Sequence, residues 1–239
     1  NMPFEGELSN QTNVKDYSSY GSNGTNYSAM WNRTGGYDGY GAFEFDGDND
    51  YLIIPSSENL NLTDAISVEA RFLIKTPCEN YARILSKEIN DVSNIDDSFL
   101  LGFDISCNDI AFQVFNESQE ASTALTSGDI LSSDTWYHVV GTYEMDVGTK
   151  VYVNGNLSTS AEGFGSMQLS SVPLAIGSHS DASANDFNGT IDEVRIWNVT
   201  LSSNQIRELY ENNSLMVSQE TSKEEVWRSC IMANDGYAD

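Results

Sequence analysis

The chain predicts an all-β fold, an antiparallel two-sheet sandwich with one short C-terminal helix. Three observations lead there: apolar side chains recur with period two from Tyr40 onward, turn residues punctuate the chain regularly, and no long helical period occurs. Only four prolines interrupt the strands. At 239 residues the chain holds one large β domain, or a medium domain with an appendage.

Residues 1–39 are polar and turn-rich around Asp16-Tyr-Ser-Ser-Tyr-Gly-Ser-Asn-Gly-Thr25, where tight turns favour Gly and Asn for their tolerance of positive φ. Ala42, Phe43 and Phe45, the Asp46-Gly47 turn and Tyr51–Pro55 read as a hairpin with a longer loop. Ile66, Val68, Ala70, Phe72 and Ile74 share one strand face. Further strands are expected at Arg83–Ser86, Phe99–Ile105, Ile110–Phe115, Trp136–Tyr143, Lys150–Val153, Leu174–Ile176 and Thr190–Trp197, about ten in all. Within 136–153, Val139, Gly141 and Tyr143 oppose His138, Val140 and Thr142, and Asn154-Gly155 supplies a primed hairpin turn. In Leu201–Tyr210, Ser202 and Gln205 form a capping box and Leu201 with Ile206 a hydrophobic staple. Ile206, Leu209 and Tyr210 then give an apolar stripe to dock on a sheet edge. Residues 213–224 read as a linker, and 225–239 as the start of a further β module or a strand-exchange tail.

Lysine and arginine total 11 against 36 acidic residues, a net charge of −25. That balance argues against nucleic acid and against anionic lipid, both of which need a positive footprint. No apolar run approaches the roughly 20 residues that span a bilayer, and no secretory signal opens the chain, implying a mature N-terminus or a piece of a longer chain. The carboxylates either keep an exposed surface hydrated or converge in places on divalent cations.

Asn-x-Ser/Thr occurs ten times, at Asn10, Asn23, Asn26, Asn32, Asn61, Asn116, Asn156, Asn188, Asn198 and Asn212. With 23 Asn and 45 Ser or Thr, chance gives about four, so N-glycosylated loops and an extracellular or cell-surface location are expected. Cys78 and Cys107 either bridge neighbouring strand–loop regions or pack reduced as small apolar residues. Cys230 is left over and suggests a partner outside this segment.

Three segments together resemble the laminin-G-like, concanavalin A-like jelly roll over about residues 8–212: Ala42–Pro55 with Phe45-Asp-Gly and Asp50-Tyr, Trp136–Tyr143 with Lys150–Gly155, and Asn188–Trp197 before the helix. The resemblance implies two curved antiparallel sheets face to face, with the domain termini close. The 16–25 loop is similar to a family turn that joins the late Ile-Asp-Glu strand around a structural calcium. Carried over, this implies Asp16 and Asp192 as carboxylate ligands with the carbonyls of Gly21 and Asn23, although Tyr17 and Tyr20 are bulkier than usual there. The alternative is that Asp16 caps its own turn while Asp192 binds backbone amides. The tail around Trp227 and Cys230 is similar to the first strands of immunoglobulin-like modules of prokaryotic surface proteins.

No pair of carboxylates on one strand face suits a glycosidase, because Asp192 and Glu193 fall on opposite faces. Histidine is limited to His138 and His179, neither in a convincing triad, and no Cys/His spacing fits zinc. His138, Trp136 and Trp197 read as packed strand residues rather than ligands or sugar platforms. The expected function is therefore a non-catalytic recognition or scaffold module of a surface adhesin or filament-forming appendage, contacting glycans or neighbouring subunits and open to polymeric assembly. The alternative is a carbohydrate-binding module attached to a hydrolase.

Overall fold

A computed structural model describes residues 1–4, 11–76, 78, 80–89, 96–118, 120–182 and 184–212. The expected linker and tail, with Trp227 and Cys230, lie outside them, as does Asn10. The strands are β1 (Asn13–Val14), β2 (Gly24–Tyr27), β3 (Met30–Asn32), β4 (Ala42–Asp46), β5 (Tyr51–Ile54), β6 (Ala65–Ile74), β7 (Arg83–Lys87) and β8 (Phe99–Phe103). They continue as β9 (Ile110–Phe115), β10 (Ala121–Leu125), β11 (Trp136–Glu144), β12 (Gly148–Val153), β13 (Asn156–Glu162), β14 (Leu174–Ile176) and β15 (Asn188–Trp197), before the helix α1 (Ser203–Asn212). An eight-stranded sheet runs β1-β2-β5-β14-β7-β8-β9-β10 and a seven-stranded sheet β13-β12-β11-β6-β15-β4-β3, both antiparallel. No helix of the described residues is long and apolar enough to cross a membrane.

The period-two face expected in β6 is the face that meets the other sheet. Ile66, Val68, Ala70, Phe72 and Ile74 are all buried in the central core. Phe72 packs edge-on against Phe103 at 5.4 Å and stacks on Tyr137 at 5.6 Å. Full burial of such a ring contributes about 1.5–3 kcal/mol. Gly141 of β11 carries no side chain because a Cβ there would lie 2.4 Å from the Phe112 ring of the facing sheet.

Three expectations are corrected. Segments 42–46 and 51–54 do not form a hairpin: β4 pairs with β15 and β3, and β5 with β2 and β14, so the 46–50 turn carries the chain from one sheet to the other. Alternation reports which face of a strand is apolar, and both strands turn that face to the shared core. Helix α1 lies over a sheet face, not an edge: Leu201, Ile206 and Leu209 form a second small core with Val140, Tyr152 and Trp197 on the outer side of the seven-stranded sheet. Among the described residues the strands number fifteen, because β1, β2, β3, β10 and β13 are short or polar edge-side strands without apolar alternation.

The capping box forms as expected. The Gln205 amide donates to Ser202 Oγ at 3.3 Å, and Gln205 Oε1 accepts from the Ser202 amide at 2.9 Å. Asn154 and Gly155 both have positive φ, 48° and 76°, joining β12 to β13 as a two-residue primed turn.

Candidate recognition site

On the outer face of the seven-stranded sheet, β15 departs from regular pairing. Asp192 is opposite Arg71 of β6 and Arg195 is opposite Glu69, so three steps on β15 match two on β6. This bulge puts Glu193 at φ +53°, a conformation costly for a residue with a side chain. It also overturns the expectation that Asp192 and Glu193 part to opposite faces. Glu193 joins Arg195, whose Nη1 reaches both Glu69 oxygens at 3.1 Å on the outer face.

Glu69 also meets His138 Nε2 at 2.9 Å, so His138 is a packed strand residue bonded to a carboxylate. Burial alone would raise the Glu69 carboxyl, but the Arg195 charge and the His138 bond hold it below its ordinary value. Burial lowers His138 and favours its neutral form. Asp192 is pushed up to about 8, by burial first and by the neighbouring Glu193 second.

These polar groups carry a loop. Asp192 Oδ2 accepts the Tyr37 amide at 3.0 Å, and Asp192 Oδ1 the Glu193 amide at 2.7 Å. Gly36 permits the approach, since a Cβ on it would stand 2.7 Å from Asp192 Oδ2. The loop then presents Tyr37, 44% exposed, and Tyr40, 64% exposed. Between them the exposed Asp38 accepts the Tyr40 amide at 2.9 Å. Half-buried Trp136 meets Tyr37 edge-on at 5.9 Å, and the Arg71 guanidinium lies 4.0 Å from the Tyr37 ring centroid. Exposed aromatic rings beside a carboxylate offer an apolar surface together with hydrogen-bond acceptors for hydroxyls.

The 16–25 loop is organised by Asp16, which is 3% exposed. Its Oδ1 accepts from the Ser18 amide and the Asn1 amino group, both at 2.9 Å. Its Oδ2 accepts from Ser18 Oγ at 2.7 Å and the Ser22 amide at 2.8 Å. Asn23 Oδ1 accepts the Asp16 amide at 3.0 Å, and the Gly21 carbonyl accepts the Asn23 amide at 2.8 Å. The structure thus brings Asp16, Gly21 and Asn23 together, while Asp192 bonds Tyr37 and Glu193 and shares no hydrogen-bond partner with Asp16 among the described residues. The Asp16 and Asp192 carboxylates and the Gly21 carbonyl all have partners within the protein, and a calcium ion would have to displace several of them. Among the described residues no group of three or more His, Cys, Asp or Glu is arranged to hold a metal ion.

Cys78 and Cys107 are joined by a disulfide. Of the sequons, Asn23, Asn156 and Asn198 are exposed, whereas Asn26, Asn32, Asn61, Asn116 and Asn188 are half-buried. Asn212 ends α1. Sequence reasoning missed Tyr37, Asp38, Tyr40 and Arg71, and it placed Tyr210 in the apolar stripe of α1, whereas Tyr210 is exposed and lies outside the small core that Ile206 and Leu209 join. The Tyr37-Asp38-Gly39-Tyr40 run was the available signal, but its placement depends on a contact spanning 155 residues.

A family model for the concanavalin A-like lectin/glucanases superfamily matches residues 46–207. Among curated proteins, human adhesion G-protein coupled receptor D1 is 40% identical over 77 residues, covering 30% of this chain and 8% of that protein. The botulinum neurotoxin serotype D ligand binding domain, solved in complex with N-acetylneuraminic acid, aligns at TM-score 0.68 and 16% identity over 87% of this chain and 49% of that one. The binding domain of Paraclostridial Mosquitocidal Protein 1 aligns at TM-score 0.66 and 14% identity, over 84% and 49% of the two chains. The chain therefore spans about half the length of these structures and under a tenth of the curated relative. With the two-sheet sandwich and the matched model in agreement, the chain belongs to the concanavalin A-like lectin/glucanases superfamily.

Proposed function

We propose that this domain is a non-catalytic recognition module acting outside the cell, which binds glycans through the exposed rings of Tyr37 and Tyr40, with Trp136 packed edge-on behind Tyr37. The observation that carries the reading is the exposed Tyr37-Asp38-Gly39-Tyr40 tip, held from beneath by buried Asp192. Rings supply stacking faces for pyranose C–H surfaces, and Asp38 supplies an acceptor for sugar hydroxyls. The residues with acid–base chemistry beside it, Glu69, His138, Asp192 and Glu193, are each no more than 2% exposed, which supports binding over catalysis. The solved neurotoxin domain bound to N-acetylneuraminic acid lends a fold-level analogy. The Cys78–Cys107 disulfide and the exposed sequons support an oxidising, extracellular setting. Membership of a surface adhesin or a filament-forming appendage, with neighbouring subunits as further partners, is part of the same proposal. Fusion to a hydrolase is the alternative.

Binding of the full chain to immobilised glycans tests the reading. Tyr37→Ala and Tyr40→Ala should each weaken capture by about tenfold or more, with the melting temperature unchanged in Tyr40→Ala. Retention of capture in both variants would refute it. Calcium at Asp16 and Asp192 is proposed from the family resemblance. A melting temperature raised by millimolar calcium and lowered by chelator would support it, and coincident curves would end it.

A further inference from the structure

We propose that Arg71 is a positioning residue that couples the recognition loop to the C-terminal end of α1. Arg71 projects from the middle of β6 on the outer face and is 1% exposed. One side of its guanidinium faces the Tyr37 ring at 4.0 Å, and its Nη2 donates to the carbonyls of Leu209 and Tyr210, both at 3.0 Å. Those carbonyls belong to the last four of the helix, which have no intrahelical donor. A buried cation therefore completes the negative end of the helix while its planar face supports the loop ring. The Tyr210 ring lies 6.0 Å from the same guanidinium and 5.8 Å from His138, so the helix end and the loop meet through one side chain.

The arrangement gives the helix end a stake in the position of Tyr37. Displacing the Tyr37 ring removes the support on one side of the guanidinium and loosens its bonds to the two carbonyls. A ligand that orders Tyr37 does the reverse, and so tightens the helix turn that leads into residues 213–239. What a ligand does here rests on the recognition reading above. The coupling itself does not, and is testable without a ligand.

The experiment is hydrogen exchange of the full chain, read at the amides of Leu209, Tyr210 and Glu211. Tyr37→Ala should speed exchange there by about fivefold, while Tyr37→Phe, which keeps the ring, leaves it unchanged. In an Arg71→Lys background, which keeps the charge but loses the planar face, Tyr37→Ala should have no further effect. Unchanged exchange in Tyr37→Ala, equal effects of Ala and Phe, or an undiminished effect in Arg71→Lys would each overturn the proposal. Should Arg71→Lys fail to fold, the contrast between Ala and Phe decides it. Failure of the native chain to capture any glycan, with the coupling intact, would count against the recognition reading alone.

Discussion

Asp16 and Asp192 are both almost completely buried, 3% and 1% exposed, yet their proton affinities move in opposite directions. Burial pushes each upward. At Asp16 the Asn1 charge and the Ser18 donors outweigh it and hold the carboxyl low, while at Asp192 the adjacent Glu193 adds to it. Asp16→Ala should destabilise the domain by about 2–3 kcal/mol at neutral pH, with or without calcium, because the loop amides lose a charged acceptor. Chemical denaturation measures this. A second buried pair sets a pH response on the other sheet. Burial pushes Glu88 up to about 7 against the pull of Arg83. Its stabilising contribution is complete below its ordinary value near 4.5 and is lost as pH rises through 7. Burial lowers His179 to about 4, so its contribution is present above 6.5 and is lost as pH falls through 4. The melting temperature of Glu88→Gln relative to the native chain should therefore rise between pH 4.5 and 8 in a calorimetric series.

At the scale of elements, local chemistry was legible where it is self-contained. The Ser202–Gln205 box, the Asn154-Gly155 turn and the inward face of β6 follow from neighbours a few residues apart. Gln205→Ala should cost about 1 kcal/mol by thermal melting, since it unmakes one half of that box. Edge-side strands were not legible. In β10 the buried positions are Ser122 and Ala124, and Ser122 Oγ bonds Thr149 and the Glu162 carbonyl instead of filling an apolar core. The exposed β13 offers no apolar face of the kind that reveals β6. The β15 bulge was equally hidden, because an extra residue in a strand shows only against the register of its neighbour.

For the molecule as a whole the net charge is −25, and the described core is continuous across both sheets. The disulfide closes a span of 29 residues, and Cys107→Ser should cost about 3–4 kcal/mol in the chain-entropy model, read by denaturant unfolding. Surface geometry also sorts the sequons. Asn26 Nδ2 donates to the Gln11 and Ala29 carbonyls, both at 2.7 Å, and Asn32 Nδ2 donates to Glu44 at 2.6 Å. A glycan leaves the amide nitrogen with a single hydrogen, so Asn26 cannot keep both bonds. Glycopeptide mass spectrometry of material from a glycosylating host should find Asn23, Asn156 and Asn198 occupied and Asn26 bare.

The amino-acid order by itself determined which residues alternate, where the chain turns and how the helix begins, because each of these depends on near neighbours. It also carried the family resemblance in three separated strand segments. Tertiary structure alone decided that β4 and β5 belong to different sheets, that Asp192 and Glu193 share a face, and that Tyr37 stands over Arg71. The reason is that a period of two names a strand's apolar side without naming its partner. Partners such as Tyr37 and Asp192, 155 residues apart, are chosen by the packing of the complete sandwich.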